Sequence, residues 1–437
     1  MARKVFISVL GTGFYKPCIY GDTGTPTRFI QEATLLSIGV KEWSSDDTGI
    51  VLLTDKARTS NWEVADNKRK DPKTNVAEEY CGLKQRIEGL QLPFNVQEKD
   101  IPDGKNEVEM WTIFTTLFDA LQDGDELYID LTHAFRYLPM LVLVLTNYAK
   151  FILNGVTIKS VTYGNWEARE EEGNDKAPKA PIVDLMPIVA LQDWTHAAAD
   201  YLNNGYAKGL KEMTENTLHP LMKDEATRNR DLAFIRSFSA AIEKISNERI
   251  MCRGMDIVEG KNVGSLVRAA NQIEEVTVAP LKPVIDKIIA SVNTADSDSD
   301  IKRCIDAAQW CCDKHLYQQA ITILQEGIVT FICERHGIDV DDKDMRGLVN
   351  IAFDRMINDS ALSKFAQEHI SKIEAIQADE YFLNKELILL FSSITTLRND
   401  YNHCGFRPKE QRQKVKTMTD NIKEFINTAA RIFLPNN

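Results

Sequence analysis

Four short apolar runs, each separated from the next by a polar break and a helical stretch, decide most of what this chain can fold into. They are "RKVFISVL" at 3–10, "GIVLLT" at 49–54, "ELYIDLT" at 126–132 and "VTIKSVTYG" at 156–164. Each is short and rich in β-branched residues, which is the signature of a buried strand. Between them the spacing predicts helices over "KTNVAEEYCGLKQRIEGL", "NEVEMWTIFTTLFDAL" and "FRYLPMLVLVLTNYAKFILNG". Parallel strands need crossover connections, so strands alternating with helices imply a mostly parallel sheet covered on both faces. Residues 1–190 are expected to form such a Rossmann-like α/β domain.

The strand pattern ends near residue 190. Before it, "EAREEEGNDKAPKAP" at 167–181 reads as an exposed loop between two strands. Residues 191–298 read as an all-α linker and dimerisation region. "TADSDSD" at 294–300 follows as a connector whose Asp and Ser residues can cap the next helix. Residues 299–437 read as a second all-α domain. A chain of 437 residues is long enough for two or three such cores. The most apolar segment, "YLPMLVLVLTNYAKFIL", carries Pro139, Asn147 and Lys150 and is read as a buried core helix, not a membrane span.

A net charge of −12 excludes a global basic field for long nucleic acid, so DNA is not an expected partner. A local basic pocket or a short ligand remains compatible with it. The eight cysteines include no CxxC pair, and the adjacent Cys311 and Cys312 suit neither zinc nor a simple bridge. They read as reduced, mostly buried thiols of a cytoplasmic protein. "VFISVL" is too short for a signal peptide. No HExxH and no metal-spaced His/Cys group occurs, so no metal site is expected. "DVDDKDMRG" at 339–347 misplaces the glycine of a calcium loop and reads as an acidic loop.

Two motifs sit where strands end. "GTGFYKP" follows the first strand, and Gly11 and Gly13 on either side of Thr12 let the backbone approach a ligand with its N–H groups outward. Lys16 stands where a dinucleotide fingerprint needs its third glycine, and no GK[ST] follows. A tight strand-to-loop turn fits the same residues. "DLTHAFRYLP" follows the third of the four runs: Asp130 ends the strand, Thr132 can cap the helix, and His133 and Arg136 fall on its first turn. Ligands of open α/β sheets bind outside the carboxyl ends of the strands, which directs both motifs to one crevice. There Thr132 and His133 offer hydrogen bonds, Arg136 a phosphate partner, and Phe14 and Tyr15 faces for a base. Asn165, beside Trp166 in "YGNW", is a further candidate at that edge.

"GTGFY" combined with "DLTHAFRYLP" resembles the CARF domains of type III CRISPR accessory proteins, in particular the branch with a D-x-T-H-G signature, although Ala134 replaces its glycine. The resemblance covers roughly residues 1–190. It implies a dimer that binds a cyclic oligoadenylate across the dimer axis, with cyclic tetra-adenylate as the ring expected by family habit. CARF domains are often fused to helical HEPN ribonuclease domains with an R-x(4–6)-H signature. "RNDYNH" at 398–403 matches it, with Asn399 as the polar residue that typically follows the arginine.

The residue types suit the chemistry. RNA is cut without metal when its own 2′-hydroxyl attacks the adjacent phosphate. An arginine such as Arg398 neutralises charge on the phosphoryl oxygens. A histidine such as His403 exchanges protons with the attacking or leaving oxygen, and Asn399 can orient either. Positions five apart differ by about 140° around a helix, so Arg398 and His403 do not share a face. Either a helix stop at Gly405 turns them together, or, as the resemblance implies, a second subunit completes the site. Glu326, on an earlier helix, is a candidate support for Arg398.

The expected function is therefore a cyclic oligoadenylate-activated, metal-independent single-strand endoribonuclease of type III CRISPR antiviral defence. It would act in the cytoplasm as a homodimer or higher oligomer, with no catalytic cofactor and no membrane partner. Two other readings stand beside it: a non-catalytic nucleotide-sensing regulator, and a ring nuclease that cleaves the cyclic ligand in the CARF site.

Overall fold

The structure, a computed structural model, describes residues 2–133, 137–171, 176–223, 230–272, 281–292, 299–358, 361–406, 408–409 and 412–435. The chain divides into two compact units, Met1–Val189 and Ala190–Asn437.

Among its described residues the first unit holds ten strands: β1 (Lys4–Val9), β2 (Ile19–Tyr20), β3 (Thr48–Leu53), β4 (Lys68–Lys70), β5 (Ala77–Glu79), β6 (Asn95–Asp100), β7 (Glu126–Asp130), β8 (Thr157–Gly164), β9 (Lys179–Ala180) and β10 (Ile182–Asp184). Six of them form one sheet in the order β10-β8-β7-β1-β3-β6, in which only β10 runs antiparallel to its neighbour. The expected mostly parallel α/β architecture is present. In β1 the side chains alternate between two cores. Val5, Ile7 and Val9 join one with Leu127 and Ile129, while Phe6 and Leu10 join the other with Phe29 and Val51. That double burial is why the central strands read as unbroken apolar runs.

The helices of this unit are α1 (Ile30–Ser37), α2 (Asp55–Ala57), α3 (Leu83–Gly89), α4 (Glu107–Phe118) and α5 (Leu138–Ile152). Three expectations need correction here. "KTNVAEEY" is not helical: Ala77–Glu79 pair with Lys68–Lys70 as a small antiparallel hairpin, and α3 starts only at Leu83. Short cross-strand contacts outweigh the helical propensity of Ala and Glu there. The apolar helix α5 is not buried all round. Leu138, Val142, Leu145 and Ala149 face the core, while Met140, Val144, Tyr148 and Phe151 are exposed. Residues 167–181 are not all loop either, since β9 pairs with β2.

The second unit is helical among its described residues: α6 (Met186–Asn204), α7 (Lys208–Lys223), α8 (Arg230–Ile250), α9 (Gly254–Glu259), α10 (Lys261–Asn271), α11 (Leu281–Val292), α12 (Asp300–Asp313), α13 (Tyr317–Arg335), α14 (Lys343–Ile357), α15 (Lys364–Glu368), α16 (Ile370–Gln377), α17 (Glu380–Leu383), α18 (Lys385–Asn402) and α19 (Val415–Phe433). One apolar core runs from Trp194 to Phe433. Most of the proposed connector, 293–298, lies outside the described residues, and Ser299 is the N-cap of α12. The "DVDDKD" run is partly helical: the Asp342 side chain accepts from the Asp344 and Met345 N–H groups and caps α14. No described helix is long and apolar enough to cross a membrane. All eight cysteines are unbridged and five are buried.

Candidate functional site

Strand order places the first site. The chain runs from β1 outward to β3 and β6, then returns to β7 on the other side of β1. The crevice between the carboxyl ends of β1 and β7 is the topological switch point, where such sheets bind ligands. "GTGFY" leaves β1 and "LTH" leaves β7 at that crevice.

The glycine loop is held from behind. Asn61 Nδ2 donates to the Gly11 and Gly13 carbonyls at 2.7 and 2.9 Å. Arg69, on the hairpin strand β4, donates to the Gly13 and Thr12 carbonyls at 2.7 and 2.9 Å. Tyr80 Oη donates to Asn61 Oδ1 at 2.9 Å and accepts from the Tyr15 N–H at 3.1 Å. With these carbonyls engaged by side chains, the Tyr15 ring stacks on His133, centroids 4.1 Å apart and planes within 18°. Gly11 has to be glycine for this: a Cβ there would lie 2.4 Å from the Tyr15 hydroxyl oxygen.

Asp130 is buried at the end of β7 and accepts from Ser8 Oγ (2.7 Å), Thr132 Oγ1 (2.5 Å) and Thr132 N (3.1 Å). Burial pushes its carboxyl up, and the hydrogen bonds from Thr132 and Ser8 oppose that push. Thr132 does not cap the helix as expected. Its hydroxyl donates to Asp130 and accepts from Gly164 N at 2.8 Å, joining the ends of β7 and β8. The helix begins only at Leu138 with Tyr137 as N-cap, so His133 lies in the turn before it and not on its first turn. The His133 Nε2 atom is buried and has no hydrogen-bond partner among the described residues, and burial pushes the ring's pKa down to about 4. Arg136 and Ala134 lie outside the described residues.

These residues open on one pocket of about 370 Å³ lined by Phe14, Tyr15, Thr132 and His133 from the two motifs. Sequence reasoning missed most of the rest of the wall: Lys16, Tyr20, Asp71, Pro72, Lys73, Tyr163, Gly164 and Glu167. Trp166 also lines it, whereas Asn165 serves as the cap of the short turn at Trp166–Ala168. Lys16 pairs with Asp71 (2.5 Å) and Glu78 (2.7 Å) and lies 4.9 Å from the centre of the Phe14 ring. Aromatic faces beside lysines suit a ligand made of bases and phosphates. Lys16 stood within the quoted motif. Lys73, Arg69 and Tyr80 belong to the stretch 68–80, part of which reads as helical in the sequence.

The second site is the end of α18. Leu387, Ile388, Phe391, Ile394 and Leu397 form its buried stripe. The helix stops at Asn402, with Cys404 (φ 52°) and Gly405 (φ 65°) left-handed and the Gly405 N–H donating to the Asp400 carbonyl. Arg398 is half-buried against α13. Its Nη1 donates to Gln325 Oε1 at 2.7 Å and to Glu326 Oε1 at 3.3 Å. Glu326 Oε2 accepts from Arg346 Nη2 at 3.0 Å, so one carboxylate holds two arginines. Asn399 and His403 are exposed, one helical turn apart. The structure thus joins Arg398 to Glu326, and leaves Asn399 and His403 on the exposed side of the helix end. Gln325, 3% exposed, was not singled out from sequence.

No family model matches the chain. It is similar to CRISPR-associated protein MJ1674 of Methanocaldococcus jannaschii, at 24% identity over 284 residues, which cover 64% of this chain and 41% of that protein. The chain thus matches about two-fifths of that relative's length. It is also similar, loosely, to the solved structure of Enterococcus italicus Csm6 bound to cyclic hexa-2′-fluoro-hexa-dAMP. There the TM-score is 0.38 and the identity 10%, over 100% of this chain and 95% of that one.

Proposed function

We propose that this chain is a CARF-containing protein of the type III CRISPR-associated group and a homodimeric endoribonuclease switched on by a cyclic oligoadenylate. The pocket between the ends of β1 and β7 takes the ligand. A two-fold ring such as cyclic tetra-adenylate matches a two-fold pair of such pockets. Phe14, Tyr15, Tyr163 and Trp166 offer stacking faces, and Lys16 and Lys73 face the phosphates. Binding favours the active arrangement to the extent that the ligand holds it more tightly than the inactive one.

The helical unit cuts single-stranded RNA in the cytoplasm. His403 takes the proton of the 2′-hydroxyl, whose oxygen bonds to the adjacent phosphorus. The bond from phosphorus to the 5′-oxygen breaks, and that oxygen receives a proton from the second histidine of the dimer. The product is a 2′,3′-cyclic phosphate. Arg398 neutralises the phosphoryl oxygens, and Asn399 orients the phosphate or the histidine. The observation that carries the reading is Arg398 itself. Its guanidinium is aimed by two acceptors on α13, Gln325 and Glu326, as a preorganised charge requires.

The test is cleavage of a fluorogenic single-stranded RNA in EDTA, with and without each cyclic oligoadenylate, beside His403→Ala. Cleavage that needs one ring, survives EDTA and vanishes in the variant is expected. Ligand binding without cleavage would leave a sensing regulator, and loss of the ring itself would identify a ring nuclease.

A further inference from the structure

A second pocket, of about 240 Å³, lies within the helical unit and shares Glu326 with Arg398. Helix α13 supplies one wall through Thr322, Glu326 and Thr330, spaced by one turn. Helix α9 supplies Met255 and Val258, and α14 supplies Arg346. Arg346 donates to Thr330 Oγ1 and to Glu326 Oε2, both at 3.0 Å. The pocket is therefore apolar on its α9 side and polar on its α13 and α14 side.

Two further observations tie it to Arg398. The Cys252 thiol lines the pocket; burial pushes it up, and the charges of Arg253 and Arg398 oppose that push. Arg398 and Arg346 share the single carboxylate of Glu326, so two guanidinium groups stand against one carboxylate at the edge of the pocket. A positive spot on an acidic protein suits a phosphate. The volume falls below the roughly 300 Å³ at which pockets begin to take drug-sized ligands, which leaves room for a single flat base.

We propose that this pocket holds one base of the RNA substrate, with Arg346 on the neighbouring phosphate, and so sets which nucleotide lies beside the cut. The inference rests on the ribonuclease reading above. Van der Waals contact with Met255, Val258 and Ile323 and edge contacts with Thr322 and Thr330 are each sensitive to the shape of one base, so filling the pocket removes a preference without removing the reacting groups.

The experiment uses the full-length protein with its activating ring and four RNAs that differ at one nucleotide of a uridine tract. Thr322→Phe fills the slot from α13, and Met255→Trp fills it from the rim, where Met255 is 40% exposed and a bulky residue is tolerated. Wild type is expected to discriminate among the four RNAs by about tenfold in kcat/KM, and each filled variant by no more than about twofold. Arg346→Gln is expected to raise KM about equally on all four RNAs. Filled variants that fold and keep the wild-type preference would overturn the proposal, as would a wild type with no preference. If no protein cleaves RNA, the ribonuclease reading fails. Fluorescence anisotropy of the same RNAs on wild type and Thr322→Phe then decides the subsite: a base preference lost in the variant sustains it, and none overturns it.

Discussion

Gln325→Leu separates holding Arg398 in place from merely filling space. Gln325 is 3% exposed, and both ends of its carboxamide are used: the oxygen accepts from Arg398 Nη1 at 2.7 Å and the nitrogen donates to Thr395 Oγ1 at 2.9 Å. Leucine keeps the size and tolerates the apolar surroundings. Little is stranded by the change. Thr395 still donates to the Phe391 carbonyl, and the Arg398 side chain, 30% exposed, can turn a nitrogen to water. The stability cost should be no more than that of two net hydrogen bonds, about 2 kcal/mol, largely offset by the added apolar burial. Catalysis should suffer more. A hydrogen bond to a charged group contributes about 1.5–3 kcal/mol, and each 1.36 kcal/mol is a factor of ten in rate. If Gln325 aims Arg398 at the phosphate, ligand-saturated kcat/KM should fall between roughly tenfold and a hundredfold while the urea midpoint barely moves. A variant within about twofold of wild-type kcat/KM with an unchanged midpoint would refute the reasoning. Glu326 alone would then suffice to place the arginine.

Two further outcomes follow from the first site. His133 binds a proton at about 6.5 when unfolded but only at about 4 when folded. Its contribution is complete above pH 6.5 and is lost as pH falls toward 4, by up to about 3 kcal/mol. The urea midpoint of His133→Phe should therefore gain on wild type between pH 7 and 4.5, and parallel profiles would refute this. Gly11→Ala puts a methyl 2.4 Å from the Tyr15 hydroxyl oxygen and should dislodge the ring from His133. Calorimetry should show activator affinity reduced by roughly tenfold, the order of a 1–3 kcal/mol overpacking cost, and unchanged affinity would refute it.

What was legible followed burial. β1 and β3 are enclosed on both faces, so composition alone announced them, and the two motifs, at the carboxyl ends of β1 and β7, could be directed to one crevice. β6, "NVQEKD", was invisible because an edge strand exposes half its residues and carries charge there. The β4–β5 hairpin was misread for a related reason. Its strands are three residues each, and nothing local in "KTNVAEEY" shows that Arg69 will be drawn to the Gly13 and Thr12 carbonyls. The stripe of α18 and its stop at "NHCG" were legible because caps and periodicity are local. Gln325 carried a signal that could have been used. Two polar residues inside "ITILQEGIVTF" cannot both face solvent on a buried helix, so one of them must have a partner.

The second site shows where local reading ends. Arg398 and His403 are five residues apart, about 7.5 Å along an ideal helix and about 140° around it. General acid–base chemistry needs its groups within about 3 Å of the reacting oxygens. The C-terminal stop did not have to separate them, since a left-handed turn can fold a side chain back over the last helical turn. Here it leaves His403 exposed, while Gln325 and Glu326 hold Arg398 toward α13. Bringing the arginine to His403 within one chain would give up the 2.7 Å bond to a buried carboxamide. A second copy related by a two-fold axis avoids that loss, because the histidine of each copy can then face the held arginine of the other. On the proposed reading the helix geometry thus makes the dimer a chemical requirement, and a ligand that changes how two copies meet can change activity without moving any residue of the held arginine.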